Sequence, residues 1–411
     1  MAIDQAGTGP VAAATRQINA HLDLLSTQFV ARRALLELVM LGLVAREHVL
    51  LIGPPGTGKS AAVQAVARVL EAKSFEYLIG RFTEPSELFG ALDLNALKDG
   101  QIRPVTANML PEAEIAFLDE IFLGSTAILN SLLKILNERS YRRGQFSMTV
   151  PLQSCVAASN AMPDDSALAA FADRFLVTMF VDPVGDDALT DLLKAGWREA
   201  QAAGDPVPSL DHRLIAELQQ AALAIDLSPV YEPYAHIVRK VRLIGVTLSD
   251  RKIVKAQKLI AAAALMRGAT AAGPEDLWPV TYLVQSRAQQ EEVRELLHAE
   301  LRESRNPVLT NSVAAATYGP TAHAARLTEE ATALLEARPA LASDPLHEIW
   351  LVRLETMMMR IDAAFDGDKL PQQLRVLRSS IDGVLAAQSA GGASEAPAPV
   401  AAEVEAETDA D

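Results

Sequence analysis

Eight consecutive residues, Gly53-Pro54-Pro55-Gly56-Thr57-Gly58-Lys59-Ser60, are the clearest candidates for chemistry in this chain. Three glycines in such a run let main-chain N–H groups point inward at phosphate oxygens, a lysine reaches the terminal phosphates, and a hydroxyl suits Mg2+. Residues 48–52 ahead of the run read as a strand, and residues 60–72 after it as a helix. The positive end of that helix would face the same anion. The plain alternative is a glycine-rich turn with no ligand, and the flanking strand and helix tell against it. The expected ligands are ATP or ADP, with Mg2+ at Ser60.

Two carboxylates come next. Ile115-Ala116-Phe117-Leu118-Asp119-Glu120 is an apolar strand ending in a pair of acids. Ligands of open α/β sheets bind at that edge. Asp119 would complete the Mg2+ shell beside Ser60, and Glu120 would polarise an attacking water. Alone the pair is weak, because Asp-Glu is common at a helix start; after a phosphate loop it becomes specific. Ser154-Cys155-Val156-Ala157-Ala158-Ser159-Asn160 is a further strand ending in a carboxamide, which could orient the water or simply terminate the strand. Arg139, Arg174 and Arg251 are candidates for a cation at the γ-phosphate, yet pattern alone does not separate them from other surface arginines.

These residues need a sheet to carry them. Apolar runs at 48–52, 75–79, 115–118 and 154–158, with a fifth at 175–181, alternate with helical patterns at 60–72 and 125–137. Such alternation predicts βαβ units and a parallel five-stranded sheet between helices, an α/β fold. After Asp182-Pro183 the pattern turns wholly helical, over 186–200, 209–225, 232–243 and 249–267, with a further helix starting at Pro274-Glu275-Asp276. Residues 301–320 contain Asn306-Pro307 and Gly319-Pro320 and read as a linker. Residues 328–337, 346–364 and 371–387 read as amphipathic helices of a small bundle or coiled coil, with Met357-Met358-Met359 as core filler.

Bulk properties fit this layout. The chain has 411 residues, half of them hydrophobic and 5% aromatic, which predicts several helix-rich domains. Its single cysteine, Cys155, lies in an apolar run; no disulfide framework is possible, and a buried core thiol is expected. No leader peptide and no bilayer-spanning run is evident, so a cytoplasmic setting without a membrane span is expected. A net charge of −15 argues against a general nucleic-acid binder. Residues 390–411 are acidic and rich in Ala and Pro, and read as a disordered tail.

Taken in order, several stretches resemble the MoxR branch of the AAA+ superfamily, and within it the RavA-like regulatory ATPases. They are Phe75-Glu76-Tyr77-Leu78, Ala96-Leu97-Lys98-Asp99, Leu110-Pro111-Glu112-Ala113-Glu114-Ile115, Ala127-Ile128-Leu129-Asn130, Asn137-Glu138-Arg139, Val156-Ala157-Ala158-Ser159-Asn160 and Ser249-Asp250-Arg251. The resemblance covers residues 15–300. It implies a P-loop AAA+ αβα subdomain over 1–183 and an all-helical lid over 184–300, and the residues themselves give the linker at 301–320 and a C-terminal helical module over 321–389. It implies that Asn160 is sensor 1, that Arg174 is an arginine finger acting on ATP held by a neighbouring subunit, and that Arg251 is sensor 2. Segment 83–109 matches the clade's insertion after the second helix. Tyr141-Arg142-Arg143-Gly144-Gln145-Phe146 is similar to the tip of a hairpin facing the ring's pore or axial surface. Beyond residue 301 the chain departs from the C-terminal module of RavA-like proteins.

The expected function is therefore an ATPase acting as a homo-oligomer, a hexameric ring. It would remodel or activate a protein partner, a von Willebrand factor A-domain protein in the first instance. Two rivals are a nucleic-acid motor using Arg139, Arg142 and Arg143 near the hairpin, and a nucleotide-gated scaffold with little turnover.

Overall fold

The structure is a computed structural model and describes residues 10–185, 188–201, 209–211, 213–339, 345–364 and 372–389. The acidic segment read as a disordered tail lies outside the described residues. The chain divides into two compact units, Met1–His323 and Ala324–Asp411.

The first unit opens with α1 (Pro10–Gln28) and α2 (Arg33–Val44), followed by β1 (Val49–Ile52), α3 (Lys59–Val69) and β2 (Ser74–Leu78). Short α4 (Pro85–Phe89) and α5 (Leu94–Lys98) precede β3 (Ile115–Asp119) and α6 (Thr126–Glu138). The hairpin β4 (Ser140–Arg143) and β5 (Phe146–Thr149) then leads to β6 (Ser154–Ser159), α7 (Ser166–Ala172) and β7 (Val177–Phe180). Five strands form one parallel sheet in the order β2-β3-β6-β1-β7. Because side chains alternate across a strand, one face presents Val49, Leu51, Phe117, Val156 and Val177 to α2 and α3. The other presents Leu50, Ala116, Leu118, Cys155 and Ala157 to α6. Burial on both faces explains why these strands read as continuous apolar runs. The fold is the α/β class expected, with its helical extension.

That extension contains α8 (Leu189–Gln201), α9 (Arg213–Leu223), α10 (Tyr231–Leu243), α11 (Asp250–Arg267), α12 (Arg287–Leu296) and α13 (His298–Leu301). Alanine-rich α11 runs through its core, with Leu259 to Ala264 all buried. Buried Glu47, just before β1, accepts from Lys255 at 2.8 Å and Lys258 at 3.0 Å, tying α11 to the amino edge of the sheet.

Two expectations need correction. Pro274-Glu275-Asp276 opens a 3-10 turn, continued by another over Trp278–Leu283, and no α-helix starts there. Asp276 is committed to Arg267 at 2.9 and 2.7 Å and to the Gly273 amide at 2.9 Å, so its capping chemistry closes a turn. The segment 301–320 is also more than a linker. Buried Asn306 donates to the Ala263 carbonyl at 2.9 Å and accepts from the amides of Val308 and Leu309. From Thr310 the chain is helical, as α14 (Thr310–Glu336). Buried Glu37 accepts from the Ser312 amide at 2.7 Å, placing a carboxylate at the positive end of α14. Burial raises the pKa of this Glu37 carboxyl, against the lowering pull of Arg33.

In the second unit the latter part of α14 packs with α15 (Pro345–Ala364) and α16 (Gln372–Ser389). Leu327, Ala331, Trp350, Leu354, Ile361, Leu374 and Ile381 form the core, which Met357 fills and Met358 adjoins, whereas Met359, expected there too, is 63% exposed. Among the described residues no helix is long and apolar enough to cross a membrane.

Candidate nucleotide-binding site

The glycine-rich run connects β1 to α3 at the carboxyl edge of the sheet. Gly56 and Gly58 both have φ near 77°, a left-handed conformation that costs glycine least and bends the loop around its own centre. At Gly53 the constraint is space: a Cβ there would sit 2.1 Å from the Val181 carbonyl oxygen. Lys59 is only 6% exposed and donates to the carbonyls of Gly53 at 2.7 Å and Pro54 at 2.8 Å. Thr57 donates its hydroxyl to the Pro54 carbonyl at 3.0 Å. Burial lowers the pKa of the Lys59 ammonium, while Asp119 and Glu120 pull it back up and Arg32 lowers it further.

Ser60 donates to Asp119 Oδ2 at 3.4 Å, and Asp119 Oδ1 accepts from the Glu120 amide at 2.9 Å. Glu120 has φ 51°, a conformation uncommon for a residue with a Cβ; it turns the chain out of β3 and turns its carboxylate toward Asn160. The Asn160 amide donates to Glu120 Oε1. Strands β3, β6 and β1 are neighbours, so their ends gather Ser60, Asp119, Glu120 and Asn160 in one place. Ser60 and Asp119 are oxygen donors fit for a hard cation such as Mg2+. Among the described residues no cluster of three or more His, Cys, Asp or Glu could hold a metal alone.

A residue that the motifs did not single out joins this group. Arg32, only 8% exposed, donates from Nε to the Thr57 carbonyl at 2.7 Å and from Nη2 to the Asp182 carbonyl at 2.8 Å. Burial lowers the pKa of its guanidinium and Asp182 raises it. The Asp182 carboxylate in turn takes both Arg287 nitrogens, at 2.9 and 2.7 Å, and Arg287 lies over the Phe180 ring. Gly53, Pro54, Asn160, Phe180 and Arg287 line a cleft of about 570 Å3 beside the loop. A solitary arginine before a helix carries no sequence signal for such a role.

The other arginines have other partners. Arg174 follows α7 with Nη1 3.8 Å from Asp173 and a buried Nε that has no hydrogen-bond partner. Burial, and then the like charge of Arg251, lower the pKa of its guanidinium. Asp173 also accepts from Ser249 at 3.0 Å and lies 3.7 Å from Lys252, so α7 and the start of α11 join there. Arg174 and Arg251 thus act on one another as like charges, and the charges acting on Lys59 are Asp119, Glu120 and Arg32. Arg139 bonds to His48 at 2.6 Å and to the carbonyls of Leu136, Arg46 and Gln153. His48 and Gln153 precede β1 and β6, which puts Arg139 at the amino edge of the sheet, opposite the loop. Desolvation lowers its pKa to about 10. Cys155 is buried, which pushes its thiol up to about 12.

A family model described as the MoxR domain in the MoxR-vWA-beta-propeller ternary systems matches residues 16–220. An uncharacterised protein of Methanocaldococcus jannaschii is 36% identical over 256 residues, 62% of this chain and 67% of that protein. The chaperone MoxR1 of Mycobacterium tuberculosis is 28% identical over 133 residues, 32% of this chain and 34% of that one. A crystal structure of a proposed ATPase from Cytophaga hutchinsonii shares the fold with a TM-score of 0.58 and 16% identity, covering 72% of this chain and 96% of that one. The relatives name the MoxR branch and not the RavA-like group within it. The order of motifs, the sheet that gathers them and these likenesses agree: the chain belongs to the MoxR-type AAA+ ATPases.

Proposed function

We propose that this chain hydrolyses ATP, with Mg2+, at sites shared between subunits of a ring, and uses the cycle to remodel or activate a protein partner in the cytoplasm. The observation that carries the reading is the convergence of Ser60, Asp119, Glu120 and Asn160 on the loop that holds Lys59. In the proposed site the loop amides and Lys59 bind the β- and γ-phosphates, and Ser60 and Asp119 offer oxygens to the cation. When bound, Mg2+ supplies charge neutralisation at those phosphates. Glu120 accepts a proton from the attacking water, with its carboxylate held by Asn160. Arg174, with Arg251 beside it in charge, serves the ATP of the adjoining subunit, the helices of 184–300 acting as a lid.

The family model describes MoxR domains of systems that also contain vWA and β-propeller proteins, so a von Willebrand factor A-domain protein is the partner proposed. A nucleic-acid motor is the weaker reading. Arg139 is committed at the far edge of the sheet and Arg143 donates to the Gly90 carbonyl at 3.1 Å, which leaves Arg142 of the three hairpin arginines.

The test is ATP turnover together with light scattering at micromolar protein. The wild-type chain is expected to release phosphate and to gain mass with ATP, and Lys59→Ala to do neither. A chain that stays monomeric with ATP would remove the ring, and phosphate release unchanged by Lys59→Ala would remove the site.

A further inference from the structure

Helix α15 is apolar on two opposite faces. Trp350, Leu354, Met357 and Ile361 enter the core of the second unit. On the other side Ile349, Val352 and Met359 are 52%, 61% and 63% exposed, and Thr356 between them is exposed as well. The four recur at spacings of three, four and three, the a-d-a-d positions of two heptads. One exposed isoleucine needs no explanation, but an aligned stripe opposite a buried face calls for a partner.

The charges beside the stripe say which partner. Glu348, Glu355 and Asp362 occupy the g positions, and Arg353 and Arg360 the e positions; all are exposed. One flank is acidic and the other basic. In a parallel pair of helices each g residue meets the e residue five places further along the other copy. That joins Glu348 to Arg353 and Glu355 to Arg360, with every sign opposite. An antiparallel pair would set g against g and e against e, like against like. A partner helix of a single sign would satisfy one flank and oppose the other. Within the unit, Arg360 also holds Glu330 at 2.8 Å and Asp362 pairs with Arg378, both at the edges of the stripe.

We propose that α15 docks in parallel and in register on α15 of a second copy of this chain, through Ile349, Val352, Thr356 and Met359. Two heptads are short for a coiled coil standing alone. The contact therefore adds to an assembly formed elsewhere, where high effective concentration makes a weak interface count. It rests on the proposed assembly of the chain and not on ATP turnover.

The single cysteine of the chain, Cys155, is buried with its thiol pushed up to about 12, so one added surface cysteine reports alone. Val352→Cys in the full chain, oxidised with copper phenanthroline, should give a disulfide-linked pair on a non-reducing gel. Val376→Cys, 62% exposed on α16, should give none. Adding Arg353→Glu should cut the linked fraction by about fivefold, as loss of two exposed ion pairs allows. Adding Glu348→Arg to that chain should restore it. Equal linkage at both cysteines, or linkage indifferent to the charge reversal, would overturn the proposal. So would linkage that needs residues 390–411, which a chain ending at Ser389 would reveal. All four positions are exposed, and circular dichroism checks that each variant is folded.

Discussion

Arg32 Nε donates to the main-chain carbonyl of Thr57 across 2.7 Å, so a side chain 25 positions earlier holds the outer turn of the phosphate loop. The same guanidinium reaches the Asp182 carbonyl beyond β7. The planar fork reaches the two carbonyls from separate nitrogens, Nε and Nη2, which a single lysine ammonium does not reproduce. Arg32→Met would leave the Thr57 carbonyl without this donor in a buried setting, at a cost of about 1–3 kcal/mol, and free the part-buried Asp182 carbonyl from the loop. The expected result is a KM for ATP raised ~10-fold with a smaller change in kcat, since loop pre-organisation acts on binding. Arg32→Lys should recover little of the loss. Full recovery by Lys would mean that charge alone matters.

Glu120→Gln preserves shape and removes the proton acceptor. Binding of a fluorescent ATP analogue should be retained, and steady-state phosphate release should fall by roughly 10²–10⁴. Unchanged turnover would take Glu120 out of the proposed chemistry.

Arg174→Ala should lower turnover by about 10³-fold or more if the arginine acts at the γ-phosphate. Mixed with Lys59→Ala subunits, it should regain part of its activity, because each variant supplies what the other lacks at a shared interface. An absence of recovery at every mixing ratio would place the action of Arg174 within its own subunit.

Lys252 is almost wholly buried, donates to the Leu283 carbonyl at 2.9 Å, and has its pKa lowered by desolvation from 10.5 to about 8. Between those two values the unfolded chain binds a proton that the folded chain has released. Stability from this group therefore rises with pH from about 8 to 10.5, by up to ~3 kcal/mol. Burial of Cys155 acts in the opposite sense above its ordinary thiol range. The comparison is thus with Lys252→Met in urea unfolding at pH 7.5 and pH 10. The wild type should gain on the variant as pH rises, and a constant difference would contradict the burial of a charged Lys252.

Much of the site was legible because its parts are contiguous. His48 to Ser60 and Ile115 to Glu120 each state a strand, a turn and a chemical group in a few residues, and chain geometry carries such a group to the strand end. Arg32 was not legible, since its partners are main-chain carbonyls that any residue supplies. Arg139 looked like Arg174 on paper, and only the sheet separates them, placing the former at the amino edge with His48 and Gln153. Capping signals misled for a related reason. Pro274-Glu275-Asp276 carries the chemistry of a helix start, but Arg267 and the Gly273 amide claim Asp276 first.

From sequence alone came the parallel sheet, the phosphate loop with Lys59 and Ser60, and the acids Asp119 and Glu120, because local spacing and hydrophobic period are properties of neighbours along the chain. Tertiary structure decided which distant groups meet: Asn160 with Glu120, Arg32 with Thr57, and Asp173 beside Arg174 with Ser249 and Lys252 at the start of α11. Those meetings depend on strand order and on how α11 packs, which no short stretch of residues encodes.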